Sequence, residues 1–207
     1  MAKMNDPKSI AKYICCLSVL ENKTAVLYEN LSGRVEPPLI KSLLLSISKD
    51  SSKHSVLLKG VADNICDSEQ NAKDCAKNLG DVWNTVNGFL DELNKKKRVR
   101  KVYFSELLPK LMGLESSLGE EYYIFVQMKT LQLMVKEIKQ LYNIDLDKIK
   151  NVFESIIRDE EHHREILVTI KDIINEDSVE KHDTPKVKYV NPDAWVHSLP
   201  PATYDYQ

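Results

Sequence analysis

Residues 159–163 read Asp159-Glu160-Glu161-His162-His163, at the midpoint of a seam formed by Ile149, Val152, Ile156, Glu160, His163, Leu167, Ile170 and Ile174. Steps of three and four make that seam one face of a helix, predicted from about Asp145 to Asn175. Glu160 and His163 share this face, so a carboxylate and an imidazole stand where apolar side chains would be expected. A lone buried carboxylate is costly, and such groups are paired or bind metal. A Glu and a His so placed can grip one ion, or the Glu can bridge two. The competing reading is a buried hydrogen-bonded pair.

Working outward, three more segments carry a polar midpoint. The first is predicted over Pro7–Ser32, with Asp6 as N-cap, Pro7 in the first turn and Gly33 as the stop. Its seam is Ile10, Ile14, Leu17, Thr24, Tyr28 and Leu31, and Glu21 falls in its middle. The second opens at Pro37-Pro38 and runs to about Ile65, along Ile40, Leu43, Ile47, Asp50, His54, Leu57, Val61 and Ile65. The other is predicted over about Ser105–Tyr142, its start blurred by Pro109. Leu114, Leu118, Ile124, Met128, Leu131, Val135 and Ile138 carry its apolar face, with Glu120 and Glu121 near the centre.

One helical segment differs. From Asp67, with Gln70 placed as in a capping box, to about Lys97, the apolar positions Leu79, Val82, Trp83, Val86, Phe89, Leu90 and Leu93 meet no carboxylate or histidine. Gly80 and Gly88 weaken it. It reads as a crossover helix packed outside the others. From Glu176 the periodicity stops, and Pro185, Pro192, Pro200 and Pro201 forbid a long helix. Tyr189, Trp195, Tyr204 and Tyr206 make this tail too aromatic for a plain solvated one, so an extended arm is expected across the helices or a second subunit.

Composition narrows the classes. A length of 207 residues suits one large domain, or one with an appendage, and 43% hydrophobic residues suffice for a sizeable core. Lys+Arg 29 against Asp+Glu 31 leaves a net charge of −2, which argues against a global nucleic-acid footprint. The run Lys95-Lys96-Lys97-Arg98-Val99-Arg100-Lys101 could touch phosphate, but it sits at a helix end, where cations favour the dipole. With only 6 Gly and 8 Pro, a turn-rich all-β chain is disfavoured. No apolar run approaches a membrane span, and the first residues lack an apolar signal core, so a cytoplasmic protein is expected.

Cys15, Cys16, Cys66 and Cys75 form no Cys-x-x-Cys, which argues against a zinc ribbon or a thioredoxin-type pair. They read as small buried apolar residues, and a Cys66–Cys75 disulfide cannot be judged from spacing. There is no Gly-rich phosphate loop, no Gly-x-Ser-x-Gly and no evident histidine partner for a cysteine.

Helices joined by short connections favour antiparallel neighbours. Together with Leu20-Glu21-Asn22-Lys23-Thr24, Gly119-Glu120-Glu121-Tyr122-Tyr123 and Asp159-Glu160-Glu161-His162-His163, the order of the polar midpoints resembles the rubrerythrin-type di-iron carboxylate proteins of the ferritin-like superfamily. These use one Glu from each of two helices and Glu-x-x-His from each of the other two. The resemblance covers the four core helices but not 67–100 or 177–207. It implies an all-α, antiparallel four-helix bundle over 1–176; the residues themselves make 67–100 an inserted crossover and 177–207 an extended arm.

The resemblance also implies metal ligands at Glu21, His54, Glu120, Glu160 and His163. The metal would be iron, in a di-iron or mononuclear site, with manganese or zinc as alternatives, and oxygen or peroxide would be the reactant. Two departures stand out. Ser51 lies three before His54, where the family has a metal-bridging Glu, and Tyr123 stands where a further Glu is frequent. Asp50, on the His54 face, could reach a metal. The family's Cys-x-x-Cys rubredoxin domain is absent, which disfavours an electron-relay peroxidase of the full type; the electron donor is unknown.

Each candidate has a plainer reading. Glu21 and Glu120 could be salt-bridged core residues, His54 a satisfied core histidine and Asp50 a flank residue. Tyr28, Tyr122 and Tyr123 read as packing residues, and Glu121 and His162 as solvent-facing. The whole chain could be a metal-free relative serving as a dimerisation or binding scaffold. A homodimer exchanging the aromatic arm is expected, with no membrane and no nucleic-acid partner.

Overall fold

The computed structural model describes residues 7–65, 72–96, 98–127 and 146–179. Every regular element among them is a helix: α1 (Pro7–Ser32), α2 (Pro38–Ile65), α3 (Ala72–Asn94), α4 (Lys101–Gln127) and α5 (Leu146–Val179). The expected all-α class is thereby met. The Asp6 cap, the Asp67–Gln70 capping box, Cys66, residues 128–142 of the fourth expected helix, the expected start of the fifth at Asp145 and the arm beyond residue 179 lie outside the described residues. By internal contacts the chain divides into Met1–Ile174 and Asn175–Gln207, and residues 175–179 are what is described of the second unit. No helix among the described residues is long and apolar enough to cross a membrane.

Punctuation sets the ends of α1 and α2. Pro7 starts α1, where its missing N–H costs nothing. The chain leaves the helix at Gly33, whose N–H reaches back to the Glu29 carbonyl at 3.1 Å. Pro38 opens α2, and Lys41 N–H bonds the Pro37 carbonyl at 3.0 Å. Ile10, Ile14, Leu17, Tyr28 and Leu31 are buried as their spacing requires. In α2 the buried face is turned slightly from the expected seam. Leu44 and Leu58 are fully buried while Leu57 is 40% exposed.

α1 packs mainly along α2 and secondarily on α3. Serines fix the register of the first pair. Ser18 Oγ donates to the Ser55 carbonyl at 2.8 Å, and Ser48 Oγ donates to the Ala25 carbonyl at 2.9 Å. These bonds satisfy small polar groups that would be costly if orphaned. They also bring Glu21 level with His54.

α3 bends at Gly80, whose φ of 54° is open to glycine without a side-chain penalty. Leu79, Trp83, Val86, Phe89 and Leu93 bury its apolar face, and Lys23 of α1 lies 5.0 Å over the Trp83 ring. A disulfide, Cys16–Cys75, ties α1 to α3 with Cα atoms 5.0 Å apart. Cys75 therefore pairs with Cys16, and these two cysteines are more than apolar filling. Disulfides persist mainly in oxidising compartments, so this bond does not favour the cytoplasmic expectation.

α4 begins earlier than expected and carries Pro109 in its interior. The proline costs a backbone hydrogen bond. Phe104, Leu107, Leu108, Leu111, Leu114 and Leu118 are buried on both sides of it, and their packing holds the helix together. α5 buries Phe153, Ile156, Leu167, Ile170 and Ile174, interrupted by Glu160 and His163. Tyr122 of α4 meets Phe153 of α5 with ring centroids 6.2 Å apart.

Candidate metal centre

The polar midpoints of α1, α2, α4 and α5 converge on one buried cluster. Glu21, His54, Glu115, Glu160 and His163 are each no more than 2% exposed. They form two triads with a shared member, Glu21–His54–Glu160 and Glu115–Glu160–His163. In each, one ligand atom per residue lies within 4.8 Å of the others.

Glu160 faces both ways. Its Oε1 stands 3.1 Å from His54 Nδ1, and its Oε2 stands 3.7 Å from His163 Nδ1. His54 Nδ1 is also 3.7 Å from Glu21 Oε1, and His163 Nδ1 is 3.1 Å from Glu115 Oε2. The imidazole centroids are 5.9 Å apart. Placing Glu160 and His163 three apart on α5 puts both on the buried stripe.

An outer ring of groups holds this inner set, in a pattern that repeats on exchange of α1 with α4 and α2 with α5. Tyr28 of α1 donates its hydroxyl to Glu115 of α4, and Tyr122 of α4 donates to Glu21 of α1. Each Tyr lies seven residues after the Glu of its own helix. Asp159 of α5 accepts at 2.9 Å from His54 Nε2 of α2, while Asp50 of α2 lies 3.6 Å from His163 Nε2 of α5. Each Asp lies four residues before the His of its own helix. Lys53 joins the two aspartates at 2.9 Å each. The Asp159 carboxylate on His54 Nε2 fixes that ring's orientation and turns its Nδ1 inward, as second partners of metal-bound histidines do, while Asp50 approaches His163 Nε2 without a hydrogen bond.

The exchange breaks at one place. Ser51 occupies on α2 the position that Glu160 occupies on α5, three before the histidine. Ser51 is fully buried and its Oγ has no hydrogen-bond partner among the described residues. The same holds for Glu21 Oε2, His54 Nδ1, both Glu160 carboxylate oxygens and His163 Nε2. Unsatisfied buried polar atoms are rare in native proteins, and four of these, Glu21 Oε2, His54 Nδ1 and both Glu160 oxygens, belong to the Glu21–His54–Glu160 triad. Carboxylate oxygens and imidazole nitrogens at this spacing suit iron, manganese, zinc or cobalt, so each triad has a donor set that could hold an ion.

Titration follows from burial and proximity. Burial pulls both imidazoles down, but the close approach of negative carboxylates outweighs it. His54, beside Glu160 and Glu21, is raised to about 10, and His163, beside Glu115 and Glu160, likewise to about 10. Burial and the charge of Glu160 push Glu115 up to about 7 against the pull of His163. Burial and neighbouring carboxylates hold Tyr28 and Tyr122 well above the usual phenol range, so both remain hydrogen-bond donors. Asp159 resists the upward push of its partial burial and is lowered by His54 and Lys53.

Of the expected ligands, Glu21, His54, Glu160 and His163 are brought together. Glu120 is not, since it is exposed on α4. The α4 carboxylate in the cluster is Glu115. The reason is rotation: Leu111, Leu114, Leu118 and Tyr122 define the buried stripe, Glu115 lies within it, and Glu120 falls two positions past Leu118, on the outer side. Asp50 is at the rim, its side chain 32% exposed, facing His163 and paired with Lys53.

His162 is exposed, as expected, while the side chains of Glu121 and Tyr123 lie outside the described residues. Sequence reasoning missed Glu115, Asp159 and the donor roles of Tyr28 and Tyr122. The seven-residue Glu–Tyr spacing shared by α1 and α4 was the available signal. In the basic run, Lys96 lies 4.1 Å over the Tyr103 ring and Arg98 stands 3.8 Å from Glu36.

Compared with known proteins, the chain matches no family model, no curated protein and no solved structure.

Proposed function

We propose that α1, α2, α4 and α5 form a ferritin-like four-helix bundle of the rubrerythrin type, with α3 as the crossover, that binds a pair of transition-metal ions. Iron is the preferred metal, with manganese and zinc as competitors. The observation that carries the reading is the pair of buried triads sharing Glu160, in which Glu21 Oε2, His54 Nδ1 and both Glu160 oxygens lack hydrogen-bond partners among the described residues. Glu21 and His54 would hold one ion, Glu115 and His163 the other, and Glu160 would bridge them. Iron bound there supplies redox chemistry toward oxygen or peroxide; without turnover the same site sequesters metal.

The chain's own residues define what the site does. Tyr28 and Tyr122 hold the carboxylates of Glu115 and Glu21 by hydrogen bonds. Asp159 orients the His54 imidazole from outside by a hydrogen bond, and Asp50 faces the outer nitrogen of His163. Complete burial excludes bulk water and favours small reactants. Metal binding must displace protons from His54 and His163.

A second reading has its own support. The raised histidines can stay protonated and neutralise carboxylates without metal, as a structural scaffold would require. Elemental analysis of protein purified without chelators separates the two. The metal reading expects about two ions per chain, reduced in His163→Ala, whereas a scaffold carries no stoichiometric metal. A homodimer using the aromatic arm remains part of the proposal. Deleting residues 183–207 should lower the apparent mass by size exclusion, and an unchanged mass discards it.

A further inference from the structure

The break in the exchange pattern has a chemical content. Replacing a glutamate by serine at position 51 keeps a heavy atom where the glutamate Cγ would be and removes one carboxylate group. Glu160 is the pattern's other half and its oxygens face both histidines. A glutamate at 51 would face the same pair from the opposite side. Instead that position on α2 carries Ser51, fully buried, with an orphaned hydroxyl.

Charge points the same way. Glu21, Glu115 and Glu160 bring three negative charges to the triads. Two divalent ions bring four positive ones, which leaves a buried excess of one. Buried charge must be compensated. Asp50 and Asp159 are poorly placed to do so: each is 32% exposed, they face the outer imidazole nitrogens, and they share Lys53.

We propose that a small exogenous carboxylate, of the formate class, binds on the α2 side of the cluster as the second bridge between the two metal positions, with the orphaned Ser51 Oγ donating a hydrogen bond to it. The inference rests on the metal reading above. It makes the bridge exchangeable, where a glutamate at 51 would make it permanent. The site thus takes a small oxyanion as ligand and offers that position to other small anions.

The test uses the full chain loaded with cobalt(II) under anaerobic conditions, read by metal analysis and visible absorption. Sodium formate is titrated into wild type, Ser51→Ala and Ser51→Glu. Wild type should shift its cobalt bands saturably with formate. Ser51→Ala should bind formate about tenfold more weakly, having lost one hydrogen bond to an anion. Ser51→Glu should keep its cobalt and lose the response, because a tethered carboxylate fills the place. Ser51→Ala keeps the test decisive where Ser51→Glu does not fold. Bound cobalt with no formate response in wild type, or equal responses in wild type and Ser51→Ala, overturns the inference and leaves the metal reading standing. A wild-type chain that takes no cobalt overturns both.

Discussion

Tyr28 on α1 donates its hydroxyl to the carboxylate of Glu115 on α4, across the buried cluster and between residues 87 apart in sequence. The bond holds Glu115 in place and fixes two helices relative to each other. Tyr28→Phe removes it and leaves a buried carboxylate one donor short. We expect metal affinity to fall about 10–100-fold, as for other groups that orient a ligand. Stability of the metal-free chain should fall by about 1.5–3 kcal/mol, the range for a bond to a charged group. Titration calorimetry and denaturant unfolding of the variant check both.

Glu115 and Glu120 make opposite predictions. Glu115→Ala should lower bound metal from about two ions per chain to about one. Glu120→Ala, at an exposed position, should leave metal content unchanged and stability within about 0.5 kcal/mol of wild type. Elemental analysis of the two variants side by side decides which carboxylate of α4 serves the site.

Glu160 belongs to both triads. Its replacement by Ala should therefore remove both ions, where His54→Ala or His163→Ala weakens one position first. A stepwise loss across these three variants, measured by equilibrium dialysis, is the expected pattern.

Metal-free protein should lose stability as pH rises. His54 and His163 titrate near 10 in the fold against an ordinary 6.5. Their contribution is fully present below about pH 6.5 and is lost as pH climbs through the folded values. Glu115, raised from 4.5 to about 7, adds the same sign in a lower window. The folded state binds more protons than the unfolded one in both windows, so the slope of stability with pH is negative. Metal competes with those protons, so affinity should rise over the same range. Thermal unfolding from pH 6 to 10, with and without zinc, checks the sign.

The Cys16–Cys75 bond closes a loop of 59 residues, which chain entropy values at about 4 kcal/mol. Reduction, or Cys75→Ser, should lower the unfolding midpoint clearly. Metal stoichiometry should hold, because no cysteine belongs to either triad. A thiol titration alongside thermal melts tests this.

The helices were largely legible because their punctuation is local. Pro7, Gly33 and Pro38 mark ends that follow from missing donors and free backbone angles, and they stand where expected. The α5 half of the site was legible too, since Glu160 and His163 share a face by spacing alone. On α4 the richer acidic stretch at 119–121 drew attention from Glu115, whose single carboxylate sits beside Leu114 and looks like a flank residue. Only the rotation of α4, with Leu111, Leu114, Leu118 and Tyr122 packed inward, decides between them. Asp159 was hidden in another way. Its neighbour Glu160 faces inward, so Asp159 reads as solvent-facing, and its bond to His54 depends on how α5 stands against α2. Adjacent-helix geometry of that kind has no signature within one segment.

The most direct measurement is anomalous scattering from crystals of the iron- or zinc-loaded chain. The account predicts two peaks on either side of the Glu160 carboxylate, one by Glu21 and His54 and the other by Glu115 and His163. No peak, with His54 and His163 protonated and bonded to the carboxylates alone, would contradict it.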